Sequence, residues 1–194
     1  MKKNILIIIL FGIFIGISAD EVPNLKVKGH VFDNLKEEYK LVSYFFSTNQ
    51  RRYYKKLDKE NKWDYISAFW KAQDPIPATE ENEFVDKLIA RIEFCNQHYS
   101  HFKDGWKTDM GRISIKYGKP FEILKLKTGT DTKYTQKDYQ IWKYRIADFR
   151  TYIFIDLQQN GDYRLIYSDG DEKEGSWVDW QSHVGSDFDE GLLR

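Results

Sequence analysis

The stretch 103–121, KDGWKTDMGRISIKYGKPF, restricts the fold more than any other part of the chain. A Gly105-Trp106 corner leads into Thr108 and Asp109, whose side-chain oxygens accept backbone N–H bonds and pin a turn. Residues 112–117 then alternate Ile113, Ile115 and Tyr117 against Arg112, Ser114 and Lys116. That period of two predicts a strand with one buried and one wet face. Gly118-Lys119-Pro120 ends the run, because proline has no N–H to give a ladder and restricts the residue before it. Residues 121–126 read as a second strand, returning through that turn to pair with 113–117.

Upstream the pattern is helical. Leu35, Tyr39, Val42 and Phe46 fall at helical spacing, with Asn34 and Glu37 in capping-box positions. A second helix is predicted from near Thr48 through Leu57. A third, from about Asn61, carries Trp63, Ile66, Phe69 and Trp70 to a stop at Asp74-Pro75. After Pro77, Thr79 or its neighbours cap a fourth helix whose acidic first turn suits the positive end of the helix dipole. Its apolar line is Phe84, Leu88, Ile92, Cys95 and Tyr99, widened by Val85 and Ile89.

Downstream, residues 127–138 are polar and aperiodic, a loop. Residues 139–146, 151–157 and 163–168 read as strands, with Asn160-Gly161 a hairpin signal between the last two. Ile153, Phe154 and Ile155 are apolar on both faces, which makes their strand central. Helices first and consecutive strands afterwards define an α+β domain with a mainly antiparallel sheet of at least four strands, one face of it left in water. Within the tail, Trp177, Val178 and Trp180 dock as one short element.

The N-terminus has the layout of a secretory signal: Lys2 and Lys3, an apolar run over 5–17, then Gly16, Ser18 and Ala19. The run is short for a membrane span, and no stable span is expected after cleavage. The expected organisation is a signal peptide over 1–19, a leader over 20–33, one domain over 34–180 and an acidic flexible tail over 181–194. Formal net charge is zero over 30 basic and 30 acidic residues, and loss of Lys2 and Lys3 makes it −2. That balance argues against nucleic acid as the main partner, since phosphate binding draws on clustered Lys and Arg. One cysteine forms no internal disulfide, so an exported domain must rest on core packing.

No catalytic constellation stands out. Asp109 and Arg112 are three apart, which suits either a base beside an anion-binding group or, the favoured reading, a pair that locks the turn beneath Trp106. Asp74, Glu83, Asp104 and Glu122 could supply the second acid of a carboxylate hydrolase. His98 and His101 have no supporting metal-site spacing, and Cys95 sits on the apolar helix stripe of a buried, inert thiol. No GxSxG, P-loop or dinucleotide fingerprint occurs. No catalytic residue, cofactor or metal is therefore assigned. Arg51, Arg52, Lys55 and Lys56 form the densest basic cluster and a possible contact for anionic lipid or an acidic partner.

The segment Gly105-Trp106-Lys107-Thr108-Asp109 resembles the motif that names the GWxTD domain family. The resemblance extends to GRISIKYGKP after it, to FWKAQDPIPATEENEF over 69–84, and to IWKYR and GDYRLIYS from Ile141 and Gly161. Met110 departs from the charged residue common there. The family comprises bacterial envelope or secreted proteins without an agreed activity, so the resemblance implies export and carries over no catalytic residue. Gly105, Trp106, Thr108, Asp109 and Arg112 are expected to be structural. The expected role is a non-enzymatic module in the periplasm or outside the cell, binding an envelope or secreted protein, with a polysaccharide or cell-wall hydrolase and a glycan-binding module as alternatives.

Overall fold

A computed structural model describes residues 30–129, 136–146 and 148–194; the expected signal peptide, most of the leader and the middle of the 127–138 loop lie outside them. Four helices come first: α1 (Leu35–Val42), α2 (Thr48–Tyr54), α3 (Lys59–Ala72) and α4 (Glu83–Tyr99). Each starts where a short polar side chain meets otherwise orphaned N–H groups. Asn34 accepts from the N–H of Lys36 at 2.9 Å, Ser47 and Gln50 form a reciprocal capping box, and Asp58 accepts from Asn61. Asn82, and not Thr79, caps α4. The Thr79 hydroxyl instead lies 2.7 Å from Ile76 O and 2.8 Å from Glu83 Oε1 in the proline-containing crossover, its single proton shared between them. The inward stripes of these helices meet in one core around Leu41, Phe46, Ile66, Trp70, Leu88 and Cys95.

A single 3-10 turn (Gly105–Lys107) joins α4 to α5 (Asp109–Tyr117). Here the structure corrects the alternation argument: residues 112–117 form a helix, and Arg112, Ser114 and Lys116 do not make a wet sheet face. Thr108 caps the helix by accepting from Gly111 N at 2.9 Å, and Gly118, at φ +76°, stops it. Ile113, Ser114 and Ile115 are all buried because α5 lies between two cores. Ile115 faces the helical layer; Met110 and Ile113 face the sheet.

The sheet is a four-stranded antiparallel meander, β1 (Glu122–Lys127), β2 (Asp138–Ile146), β3 (Asp148–Ile155) and β4 (Arg164–Asp169), in the order β1-β2-β3-β4. Since α5 is helical, β1 has no partner in 113–117 and pairs with β2, Leu124 opposite Ile141. The loop between β3 and β4 turns through Asn160-Gly161. Asp156 accepts from both of their N–H groups, at 3.1 and 2.8 Å, and Gly161 takes φ +85°. One face, with Trp142, Tyr152, Phe154 and Leu165, packs on α5. The opposite face, with Ile141, Ile153, Ile155 and Ile166, is covered by Trp177, Trp180, Val184, Phe188, Leu192 and Leu193. Thus the chain is α+β as expected, but the tail is docked over 181–194, through α6 (Gln181–Val184) and a last 3-10 turn. Phe188, Leu192 and Leu193 of that tail cover a sheet face that would otherwise be wet.

Candidate interaction site at the helix-sheet joint

The motif is a three-way joint between α4, α5 and β4. A Cβ on Gly105 would lie 1.8 Å from Cys95 O, and one on Gly111 would lie 1.9 Å from Gly105 O. Both glycines are therefore fixed by backbone-to-backbone approach, a distance no side chain tolerates. Trp106 enters the helical core at 1% exposure, stacked on Phe32 with centroids 5.2 Å apart, and its carbonyl accepts from Tyr44 OH at 3.3 Å. Thr108 donates back to Gly105 O at 2.7 Å. Asp109 then ties α5 to β4: Oδ1 accepts from Arg112 Nη1 at 2.6 Å, and Oδ2 from Arg164 Nε at 3.1 Å and Leu165 N at 3.0 Å. Burial pushes its carboxyl up, but Arg112, the Leu165 N–H and Arg164 outweigh that and hold it below the usual carboxylate range.

Behind the motif the charges form a closed network. Arg112 turns its other side to Glu174, with Nε and Nη2 3.1 and 3.0 Å from Oε2. One turn on, Lys116 Nζ lies 3.0 Å from Glu174 Oε1 and 2.7 Å from Asp171 Oδ2. That same Oδ2 accepts from Tyr117 OH at 2.6 Å and Tyr152 OH at 2.9 Å. Burial again raises the Asp171 carboxyl, and Lys116 with the two phenols more than reverses it, taking it down to about 2. These bonds clamp the segment after β4 onto α5.

In front of the network lies an open groove of about 700 Å³ between α1, the start of α2 and the 173–174 segment. Six cations line it: Lys36, Lys40, Arg51, Lys107, Arg112 and Lys173. Only two acids do, Glu37 and Glu174, and both are spent, Glu37 on Lys107 and Glu174 on Arg112 and Lys116. Arg51 donates to Ser43 O and Lys173 to Phe45 O, both neutral carbonyls, and Lys40 lies 5.6 Å from the Tyr44 ring. Among the described residues, Lys36, Lys40, Arg51 and Lys173 meet no carboxylate within 4.0 Å. Partial burial, Lys116 and Arg51 pull the Lys173 amine below the ordinary lysine value, against Asp171.

Of the basic cluster read from sequence, the groove takes only Arg51; Arg52, Lys55 and Lys56 are exposed and do not line it. Lys36 and Lys40 carried the usable signal, an i, i+4 cationic pair on the polar face of α1. Nothing in the sequence joins them to Lys173. The other candidate groups are scattered. Asp104 pairs with Lys107, Glu122 with Lys143, Asp74 accepts from Ile76 N and Glu83 from Thr79. His98 stacks on Phe94, with ring centroids 4.1 Å apart, and His101 lies over Gly161. Cys95 is fully buried and its thiol is pushed up to about 12 by that burial. Among the described residues no group of three His, Cys, Asp or Glu is placed to hold a metal, and no helix is long and apolar enough to cross a membrane.

Sequence reading missed a second polar cluster. Ser67 Oγ and His30 Nε2 are 2.8 Å apart, and His30 Nδ1 is 3.4 Å from Glu38 Oε1, an order that imitates a nucleophilic triad. It lacks the rest of such a site. Ser67 lies in the interior of α3, where N–H groups are used in the helix, and its hydroxyl also meets Trp63 O at 2.9 Å. Glu38, fully buried, instead accepts from Trp70 Nε1 at 2.6 Å and Phe32 N at 2.7 Å, so the cluster fastens the end of the leader to the helices.

No curated protein and no solved structure matches the chain. A family model, that of the GWxTD domain, matches residues 14–180, from inside the apolar N-terminal run to Trp180. With most of its length matched, including every residue of the joint and the groove, the chain belongs to the GWxTD domain family.

Proposed function

We propose that this is an exported, non-enzymatic interaction module, and that an envelope or secreted protein binds in the groove beside the motif. The observation that carries the reading is the division of charge. The acids and bases of the joint are consumed by one another, while the cations of the adjoining groove stand open around a concave space of ligand size. A carboxylate hydrolase needs one acid that keeps its proton, and Asp109 and Asp171, the two aspartates of the joint, are held below the ordinary range. Trp106 and Trp142 are buried, so neither offers a face for stacking on a sugar. Export rests on Lys2, Lys3 and the apolar run over 5–17.

Two experiments test the two halves. A photo-crosslinking residue placed at Lys40 in the full chain is expected to give one dominant adduct in the cells that make it, with an exported protein as the second component. The same residue at Lys125 on β1 is the control. Adducts no stronger at 40 than at 125 overturn the binding reading. Fusion of residues 1–30 to a phosphatase that is active only outside the cytoplasm is expected to give activity; a silent, stable fusion removes the case for export.

A further inference from the structure

We infer that the groove recognises an acidic, extended peptide segment of its partner, gripped by Lys36, Lys40, Arg51 and Lys173. This deepens the proposed function and rests on its placing of the partner. The argument begins with what the groove lacks. Its own acids are neutralised internally, so the four remaining cations face solvent with a net positive field. They come from three separate segments: Lys36 and Lys40 one turn apart on α1, Arg51 on α2, and Lys173 after β4. Four cations around a groove of about 700 Å³ offer more charge than one small anion uses, and several carboxylates along one chain can meet them together. Burial first, then the charges of Lys116 and Arg51, lower the Lys173 amine, and an arriving anion offsets the charge part.

The lining also separates acidic peptide from other anions. Tyr39 is stacked flat on Tyr54, with 4.3 Å between centroids and 7° between planes, and Tyr44 is 6% exposed, so no open ring waits for a nucleobase. No aliphatic or phenylalanine side chain lines the groove to enter a lipid layer; the most exposed large apolar residues, Phe102, Phe149 and Val178, are elsewhere.

The test is titration of the full chain with a labelled peptide of alternating Glu and Ser, beside the same peptide with Gln for Glu. Expected are saturable binding of the Glu peptide alone, weakening as salt rises, and a loss of about tenfold or more in the K36E/K40E double variant, the effect of replacing two attractive charges by repulsive ones. The variant must melt like the parent, since both side chains are exposed on α1. Equal binding of the Gln peptide, or full affinity in K36E/K40E, overturns the inference. So does binding of anionic phospholipid vesicles without the peptide, which assigns the groove to a membrane, or complete displacement by inorganic phosphate, which assigns it to a small ion. If the peptide fails while the Lys40 adduct persists, the chemistry assigned here is wrong and the interaction module stands. Failure of both removes the module as well.

Discussion

Two neighbouring regions are built from the same residue types and behave oppositely. Around α5, Asp109, Arg112, Lys116, Asp171 and Glu174 are interlocked, and each carboxylate accepts from more than one donor. Across the groove, Arg51 and Lys173 have backbone carbonyls, Lys40 lies over the Tyr44 ring, and none of these or Lys36 meets a carboxylate among the described residues. Charge type alone therefore does not mark a functional surface in this fold; the state of pairing does. Arg112 belongs to both regions, since it lines the groove while its bonds go to Asp109 and Glu174.

The comparison fails most visibly if the joint tolerates change. Gly105→Ala has the largest expected effect, because its Cβ would meet the main chain of α4, and neither backbone can give way. Loss of a cooperative thermal transition is expected. A folded Gly105→Ala protein with an unchanged Tm would remove the joint from the architecture. Trp106→Ala follows, at about 3–5 kcal/mol for a fully buried indole, measured by denaturant unfolding. A cost below about 1 kcal/mol would instead mark the ring as a contact residue.

Asp109→Asn sharpens the contrast. It keeps the volume but leaves Arg112 and Arg164 one charge short, with an expected cost of about 1.5–3 kcal/mol from charged hydrogen bonds. The companion test is pH. The Asp171 carboxyl lies at about 2 in the fold against an ordinary 3.8, so its contribution, about 2 kcal/mol, is fully present above about pH 4 and is lost as pH falls toward 2. The stability gap between the native chain and Asp171→Asn should therefore close over that range. A gap unchanged at pH 2.5 would mean the carboxylate is not held by Lys116 and the two phenols.

How far the sequence exposed this contrast depends on the scale of the signal. The start of α1 was legible because Asn34 acts on N–H groups two or three residues away, whereas the start of α3, expected near Asn61, is set two residues earlier by the Asp58 cap. The centrality of β3 was legible from Ile153, Phe154 and Ile155. The helix α5 was misread because residues 112–117 fit an alternating window and contain β-branched Ile113 and Ile115. Extending the window to Thr108 supplies the helical signal: an N-cap, acidic Asp109 in the first turn, Met110, Ile113 and Tyr117 on one side, and Gly118 as the stop. The polar stripe is there as well, Asp109, Arg112 and Lys116 at i, i+3 and i+7, but it faces Asp171 and Glu174 and not open solvent. The Asp109–Arg112 pair was legible at i, i+3. Its links to Arg164, Leu165 and Glu174 were not, since they join residues far apart in the chain through packing alone.

The smallest expected effect decides the most about the groove. Lys36→Ala and Lys40→Ala should each change stability by no more than about 0.5 kcal/mol, because neither amine has a carboxylate partner among the described residues and Lys40 gives up only an exposed contact with the Tyr44 ring. Surface cations retained for folding would show the opposite: a measurable drop in Tm for each, additive in the pair. Near-silence in denaturant unfolding, combined with a strong effect on acidic-peptide binding, separates residues kept for a partner from residues kept for the fold.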